Sequence, residues 1–272
     1  MTFDRKKYKS FALMQLKGRW KPAVFATIIS LVILTLFSLT QTQSSSYTFS
    51  QLLTASVDDL LNSPILPSGR DTILSIIQTI MDFVIDIVLY SFFLIFTRSP
   101  DPVSLNSYFA GYNKWGRGIL CGLWRVLWLF LWALLAIPLL IIFTIIITLT
   151  QIDITEDSTL LTVLSLIILL VGFIPMFIKS IEYSFATIFA AEFPDVGIRK
   201  ALRLSITITK GHRWELFVLE LSFIGWFLFG FVTFCIGFFW VLPYYHLTQI
   251  NAYHALLQDA LENGKVKPED LN

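Results

Sequence analysis

The sequence predicts an all-α protein, a polytopic bundle of about six transmembrane helices with short cytoplasmic interfacial helices. Three observations lead there. Of 272 residues, 56% are hydrophobic and only 14% are charged, whereas a soluble domain carries roughly 25% charged residues. Apolar runs longer than about 18 residues recur along the chain, each sufficient to cross a ~30 Å hydrocarbon core. The runs are also continuous, as in LLAIPLLIIFTIIITL from Leu134 to Leu149. Strands of a membrane β-barrel would instead alternate apolar and polar residues over about 10 positions.

The elements follow in order. Residues 4–18 are basic and form an interfacial segment before a first span at 22–40. That span is expected to be retained: its basic flank is long, its apolar stretch reaches 17 residues, and TQTQSSSY offers no A-x-A cleavage site. The loop 41–71 is external, and YTFSQLLTASVDDLLN within it is expected as a helix lying on the outer surface. The second span covers 72–97. In the next interfacial segment, 101–113, Leu105, Tyr108, Phe109 and Tyr112 recur at helical spacing. The third and fourth spans, 118–150 and 159–188, are long enough to tilt, and Pro138 and Pro175 are candidate kinks.

In the third interfacial segment, 195–210, Arg199, Arg203, Thr207 and Lys210 form a polar stripe opposite Ile198, Ala201, Leu202 and Ile208. Gly211 should end that helix in the left-handed conformation. The last apolar stretch reads as two spans, 214–233 and 237–258, because the glycines of GFVTFCIG at 230 and 237 allow a tight re-entry.

Lys and Arg set the orientation. They crowd the N-terminal segment, the 98–117 connection, the 199–213 connection and the tail, whereas the opposite side holds only Arg70 among several aspartates and glutamates. Both termini are expected in the cytoplasm. Trp20, Trp115 and Trp214 stand just before the odd-numbered spans, each beside a Lys and a Gly, at separations of 95 and 99 residues. They read as interfacial anchors, where an amphipathic ring and a cation are both well solvated. They also suggest a threefold repeat of one interfacial helix plus one helical hairpin.

Charges inside spans are costly and usually face a bundle interior. Asp82 and Asp86 extend a polar seam with Ser75 and Gln78 on the second span. Two readings stand: an ion or proton site, or a structural seam paired with Arg125. Arg125 either snorkels to headgroups or meets Asp86 or Glu220, and Glu220 lies at the depth of Arg125 and should point toward it. Lys179 and Glu182 are a local ion pair at i, i+3. His246 follows Pro243 and shares the depth of Asp82, but a lone His is weak evidence for metal, so no metal and no cofactor is expected. Trp124, Trp128 and Trp132 form an i+4 stripe, a pattern more often lipid-facing or packed than substrate-stacking. Cys121 and Cys235 fall near opposite membrane faces, which disfavours a disulfide.

Four blocks in this order, SFALMQLKGRWKPAV, YFAGYNKWGRGIL, PDVGIRKALRLSITITKGHRWELFVLELSFIGW and IGFFWVLPYYHLTQINAYHALL, resemble a family of bacterial integral membrane proteins catalogued as a domain of unknown function. The resemblance covers nearly the whole chain. It implies a bacterial cell (inner) membrane protein with cytoplasmic helices between spans, and it brings no activity, substrate or catalytic residue.

A net charge of +1 gives no bias toward nucleic acid. No P-loop, G-x-G-x-x-G, H-E-x-x-H, G-x-S-x-G or C-x-x-C occurs, so the expectation is no enzyme and no catalytic residue. The leading expectation is a scaffold or accessory protein engaging the lipid bilayer, anionic lipid headgroups and membrane-protein partners. The alternative is a transporter or channel for a small ion or lipid-like solute, working through Asp82 and Asp86. A water-accessible cavity reaching those residues would favour the second reading.

Overall fold

The computed structural model describes residues 3–39, 69–99, 101, 103–135, 137–139, 141–143, 145 and 158–271. The surface helix expected within 41–71 and the far end of the third span lie outside them. All regular structure among the described residues is helical. In chain order the helices are α1 (Arg5–Leu16), α2 (Trp20–Ser38), α3 (Gly69–Arg98), α4 (Asn106–Ala110), α5 (Trp115–Ala133), α6 (Ser158–Glu182), α7 (Ala186–Glu192), α8 (Ile198–Thr209), α9 (Arg213–Leu221), α10 (Ile224–Val232) and α11 (Phe238–Glu262). A 3-10 turn, Gly111–Lys114, links α4 to α5.

Among the described residues, five helices are long and apolar enough to cross a membrane: Trp20–Ser38, Gly69–Arg98, Asn106–Phe143, Leu170–Glu192 and Arg213–Val232. Their outward faces are studded with exposed apolar side chains such as Leu36, Phe130, Leu170 and Val232. Lipid solvates such faces and water does not. α11 is not among the five. Its sequence carries Tyr, His, Gln and Asn, and it does not need a lipid-matched surface, because α1, α2, α3, α8 and α10 pack around it. Leu247, Ile250, Ala252, Tyr253 and Leu256 on α11 are buried in the core.

α1 begins where Asp4 accepts the Lys6 and Lys7 amides at 3.0 and 3.2 Å, as an N-cap carboxylate should. It packs on α11, with Tyr8, Ala12 and Leu16 buried. α8 buries Ala201, Leu202, Leu204 and Ile208 and leaves Arg199, Arg203 and Lys210 exposed.

The turns after α1 and α8 are the same. Lys17 stands at φ −59°, ψ 120° and Lys210 at φ −64°, ψ 118°. Gly18 and Gly211 follow at φ 78° and 98°. Arg19 N–H then donates to the Leu16 carbonyl at 2.9 Å, and His212 N–H to the Thr209 carbonyl at 3.0 Å. These are type II turns, whose third position requires positive φ. The next helix starts at Trp20 in one case and Arg213 in the other. Trp214 is therefore one residue later than Trp20 and rotated by about 100° around the helix. Trp20 packs against the core, whereas Trp214 is 70% exposed. The threefold repeat predicts an equivalent turn at Gly116, beside Trp115, but none forms there, because Gly116 lies inside α5.

The Arg213–Val232 segment is broken at Ser222 and Phe223. The Lys9 ammonium, from α1, donates to the Ser222 carbonyl at 3.2 Å and lies 4.2 Å above the Phe223 ring. Burial, reinforced by the Arg5 cation, holds the Lys9 ammonium below its ordinary pKa. Between α10 and α11 the chain turns at 233–237, with Phe234 and Cys235 both at positive φ, 52° and 67°. The Gly237 amide donates to the Thr233 hydroxyl at 2.9 Å, and a Cβ on Gly237 would sit 3.0 Å from the Gly230 Cα. Those two glycines let the two arms of this turn close.

The basic residues gather at one end of the bundle, many of them on backbone carbonyls. Arg19 lies over the Phe96 ring at 4.4 Å and donates to the Ser99 carbonyl, just past the C-terminus of α3. Lys114 donates to the Ala191 carbonyl at 2.5 Å. Arg117 donates to the Ala190, Phe193 and Val196 carbonyls at 3.1, 3.1 and 2.7 Å. Cations at helix C-termini satisfy orphan carbonyls and complement the helix dipole. Arg98 and His254 meet Glu192 at the same end.

Candidate intramembrane polar site

The site is built on the crossing of α3 and α5. Gly118 and Gly122 are spaced as G-x-x-x-G, the pattern that lets membrane helices approach closely. A Cβ on Gly118 would lie 2.5 Å from Ile87 Cγ2, and one on Gly122 would lie 2.2 Å from Phe83 Cγ. Three residues beyond Phe83 stands Asp86, and three beyond Gly122 stands Arg125. The contact of the small residues thus carries these two side chains to each other, with Arg125 Nη2 3.8 Å from Asp86 Oδ2. That is an ion pair without a direct hydrogen bond. Arg125 Nη1 also donates to Thr187 Oγ1 on α7 at 3.4 Å.

A cavity of about 550 Å³ opens on this pair. Asp82, Asp86 and Tyr90 line it from α3, Arg125 from α5, Glu220 from α9, and Tyr245 and Gln249 from α11. Asp82 accepts from Gln78 Nε2 at 3.2 Å. Glu220 accepts from Tyr245 Oη at 3.0 and 3.1 Å and from Gln249 Nε2 at 2.6 Å. Ser180 and Ser184 complete the rim, and both donate to backbone carbonyls one turn earlier. The lining therefore holds three carboxylates against one guanidinium.

The family model described as "Protein of unknown function (DUF975)" matches residues 1–260. The chain belongs to the DUF975 family. No curated protein and no solved structure matches it.

The structure brings four of the five residues expected at a polar site into one cavity of the DUF975 chain: Asp82, Asp86, Arg125 and Glu220. Glu220 points inward, but its hydrogen bonds come from Tyr245 and Gln249 instead of the expected Arg125. His246 stands apart. It is buried behind the cavity wall, stacked on Phe93 at 5.4 Å and edge-on to Tyr90 at 5.1 Å. Its Nδ1 has no hydrogen-bond partner among the described residues. Ser75 donates to the Asp71 carbonyl one turn earlier at 2.6 Å. Of the interfacial tryptophans, Trp115 is 58% exposed and Trp20 is packed inward. No cluster of three or more His, Cys, Asp or Glu able to hold a metal occurs among the described residues.

Three features of the DUF975 chain escaped the sequence reading. Tyr245 and Gln249 lie 25 and 29 residues from Glu220, and no local pattern announces such partners. Glu182, fully buried, makes the expected i, i+3 pair with Lys179 at 2.7 Å, and what was missed is that it also meets Arg213 of the KGHRW stretch. The Gly118–Gly122 spacing was readable, and it was the signal that would have located the α3–α5 crossing.

Proposed function

We propose that this DUF975 protein is a multi-pass protein of the bacterial cell membrane, with both termini in the cytoplasm, that binds and passes a small cation or a proton through the α3–α5–α9–α11 cavity. The cavity itself carries the proposal. Three carboxylates facing one guanidinium leave an excess of negative charge in a low-dielectric setting, where uncompensated charge is costly. A cation or protons must offset it. The long Asp86–Arg125 separation leaves room for that exchange, whereas a closed structural pair would be directly hydrogen-bonded. A volume of about 550 Å³ suits a small solute. The polar groups supply charge and hydrogen bonds, and both rim serines spend their hydroxyls on backbone carbonyls. That supports binding and release over bond-breaking.

The cytoplasmic assignment of both termini rests on the gathering of the basic segments at one end of the bundle, combined with the bias of Lys and Arg toward the cytoplasm.

The test is charge displacement on a solid-supported membrane, with the full chain reconstituted and challenged by jumps in H⁺, Na⁺, K⁺ and small organic cations. Transient currents are expected from the wild type and should vanish in Asp86→Asn, Glu220→Gln. Equal currents from a folded Asp82→Asn, Asp86→Asn, Glu220→Gln variant, or none from the wild type, return the accessory-protein reading.

A further inference from the structure

A second concavity, of about 490 Å³, lies on a different side of α5 from the polar cavity. One wall is the indole stripe Trp124, Trp128 and Trp132, and the other carries Lys179, Arg199 and Arg203. Arg199 stands over the Trp124 ring at 4.6 Å and Lys179 over the Trp132 ring at 4.9 Å. Lys179 is paired with Glu182, but Arg199 and Arg203 have no acidic partner among the described residues. They are exposed and four residues apart on α8, on one helix face, where like charges repel. An anion between them would reverse the sign of that interaction.

We propose that this groove binds an anionic phospholipid, its phosphate held by Arg199 and Arg203 and its acyl chain laid along Trp128 and Trp132. The pairing follows from the chemistry of the walls. Guanidinium groups bind phosphate through paired N–H donors, and basic pockets between membrane helices on the cytoplasmic side suit anionic headgroups. The indole faces continue from the cations onto the exposed apolar flank of α5, where Leu127, Phe130 and Leu131 are solvent-accessible in the isolated chain. A water-soluble anion would have no use for that apolar continuation. The groove shares no lining residue with the polar cavity, so it stands or falls separately from the transport proposal.

The experiment uses the full chain in zwitterionic-lipid nanodiscs, titrated with phosphatidylglycerol, and counts retained anionic lipid by native mass spectrometry. The wild type is expected to retain phosphatidylglycerol over phosphatidylcholine. Arg199→Gln, Arg203→Gln should weaken retention roughly 30-fold, from about one surface cation's worth of attraction per arginine. The single variant Arg203→Gln, which leaves the Trp124 contact intact, should fall between. Trp128→Ala should also weaken phosphatidylglycerol retention, because the acyl chain loses its indole contact. Undiminished retention by both arginine variants overturns the proposal. So does competition by millimolar inorganic phosphate alone, which would make the ligand a soluble phosphate.

Discussion

Asp86 and Glu220 sit in the same cavity but are held differently, and substitutions should separate them. Glu220 receives neutral donors from Tyr245 and Gln249, so Glu220→Gln keeps an acceptor in place while Glu220→Ala strands both donors. An unpaired buried polar group costs about 1–3 kcal/mol. Glu220→Ala should therefore unfold earlier than Glu220→Gln in a detergent melt followed by size-exclusion chromatography. Asp86 faces a cation, and Asp86→Lys would set two cations side by side. It should destabilise on the order of 3 kcal/mol, whereas Asp86→Asn should melt close to the wild type. Equal melting of Asn and Lys variants would mean that Arg125 does not sense residue 86.

The glycines supply a matched comparison at the scale of one helix. Gly116 and Gly122 both lie in α5, yet a Cβ at Gly116 meets nothing within 4 Å while one at Gly122 collides with the Phe83 ring. Gly116→Ala should be neutral or stabilising by up to about 1 kcal/mol. Gly122→Ala should cost about 1–3 kcal/mol through overpacking and should also reduce cation-evoked currents, because Arg125 rides one turn beyond it. In the turns, Gly18→Ala and Gly211→Ala should each cost about 1 kcal/mol, since both glycines have positive φ. Those turns show what the sequence could disclose. Lys-Gly before a span encodes a local conformation, and two of three such sites adopt it. At Gly116 no helix break is needed, because the Gly111–Lys114 turn already redirects the chain into α5. Apolar runs likewise located the long helices. Apart from Asp86 and Arg125, whose opposite charges inside spans pointed to each other, inter-helix partners were not legible: the carbonyls that Arg117 caps and the donors that reach Glu220 are defined by tertiary packing, and the residues involved have no common local pattern.

For the whole molecule, the proposed topology places residue 45 outside and residue 268 in the cytoplasm. Cysteines introduced as Ser45→Cys and Pro268→Cys, in a Cys235→Ser background, should react with a membrane-impermeant maleimide from opposite sides. Cys121 is buried and should stay silent, whereas Cys235 is exposed and must be removed. Labelling of residue 268 in intact cells would invert the assembly. α11, the most enclosed of the long helices, lies at the centre of contacts from both halves of the chain. A bundle organised this way should lose its tertiary structure as one unit, so melts followed at α1 and at α10 should coincide.

The arginines that cap helix ends also impose a schedule on synthesis. The Ser99 carbonyl that Arg19 binds is made 80 residues after it. At about 5–20 residues per second, that is a delay of roughly 4 to 16 s. Arg117 waits a similar interval for carbonyls 73 to 79 residues downstream, and Lys9 waits for Ser222, 213 residues on. Through those seconds each cation lacks its downstream carbonyl and, in the proposed topology, lies at the inner headgroups, where it can direct the insertion of the helix beside it. Once the acceptor helix emerges, the same charge becomes an internal fastening and ceases to be an address. In that topology the nascent chain uses each cap twice, first to choose a side of the membrane and then to lock the choice, and the last of these fastenings closes only after Ser222 leaves the ribosome.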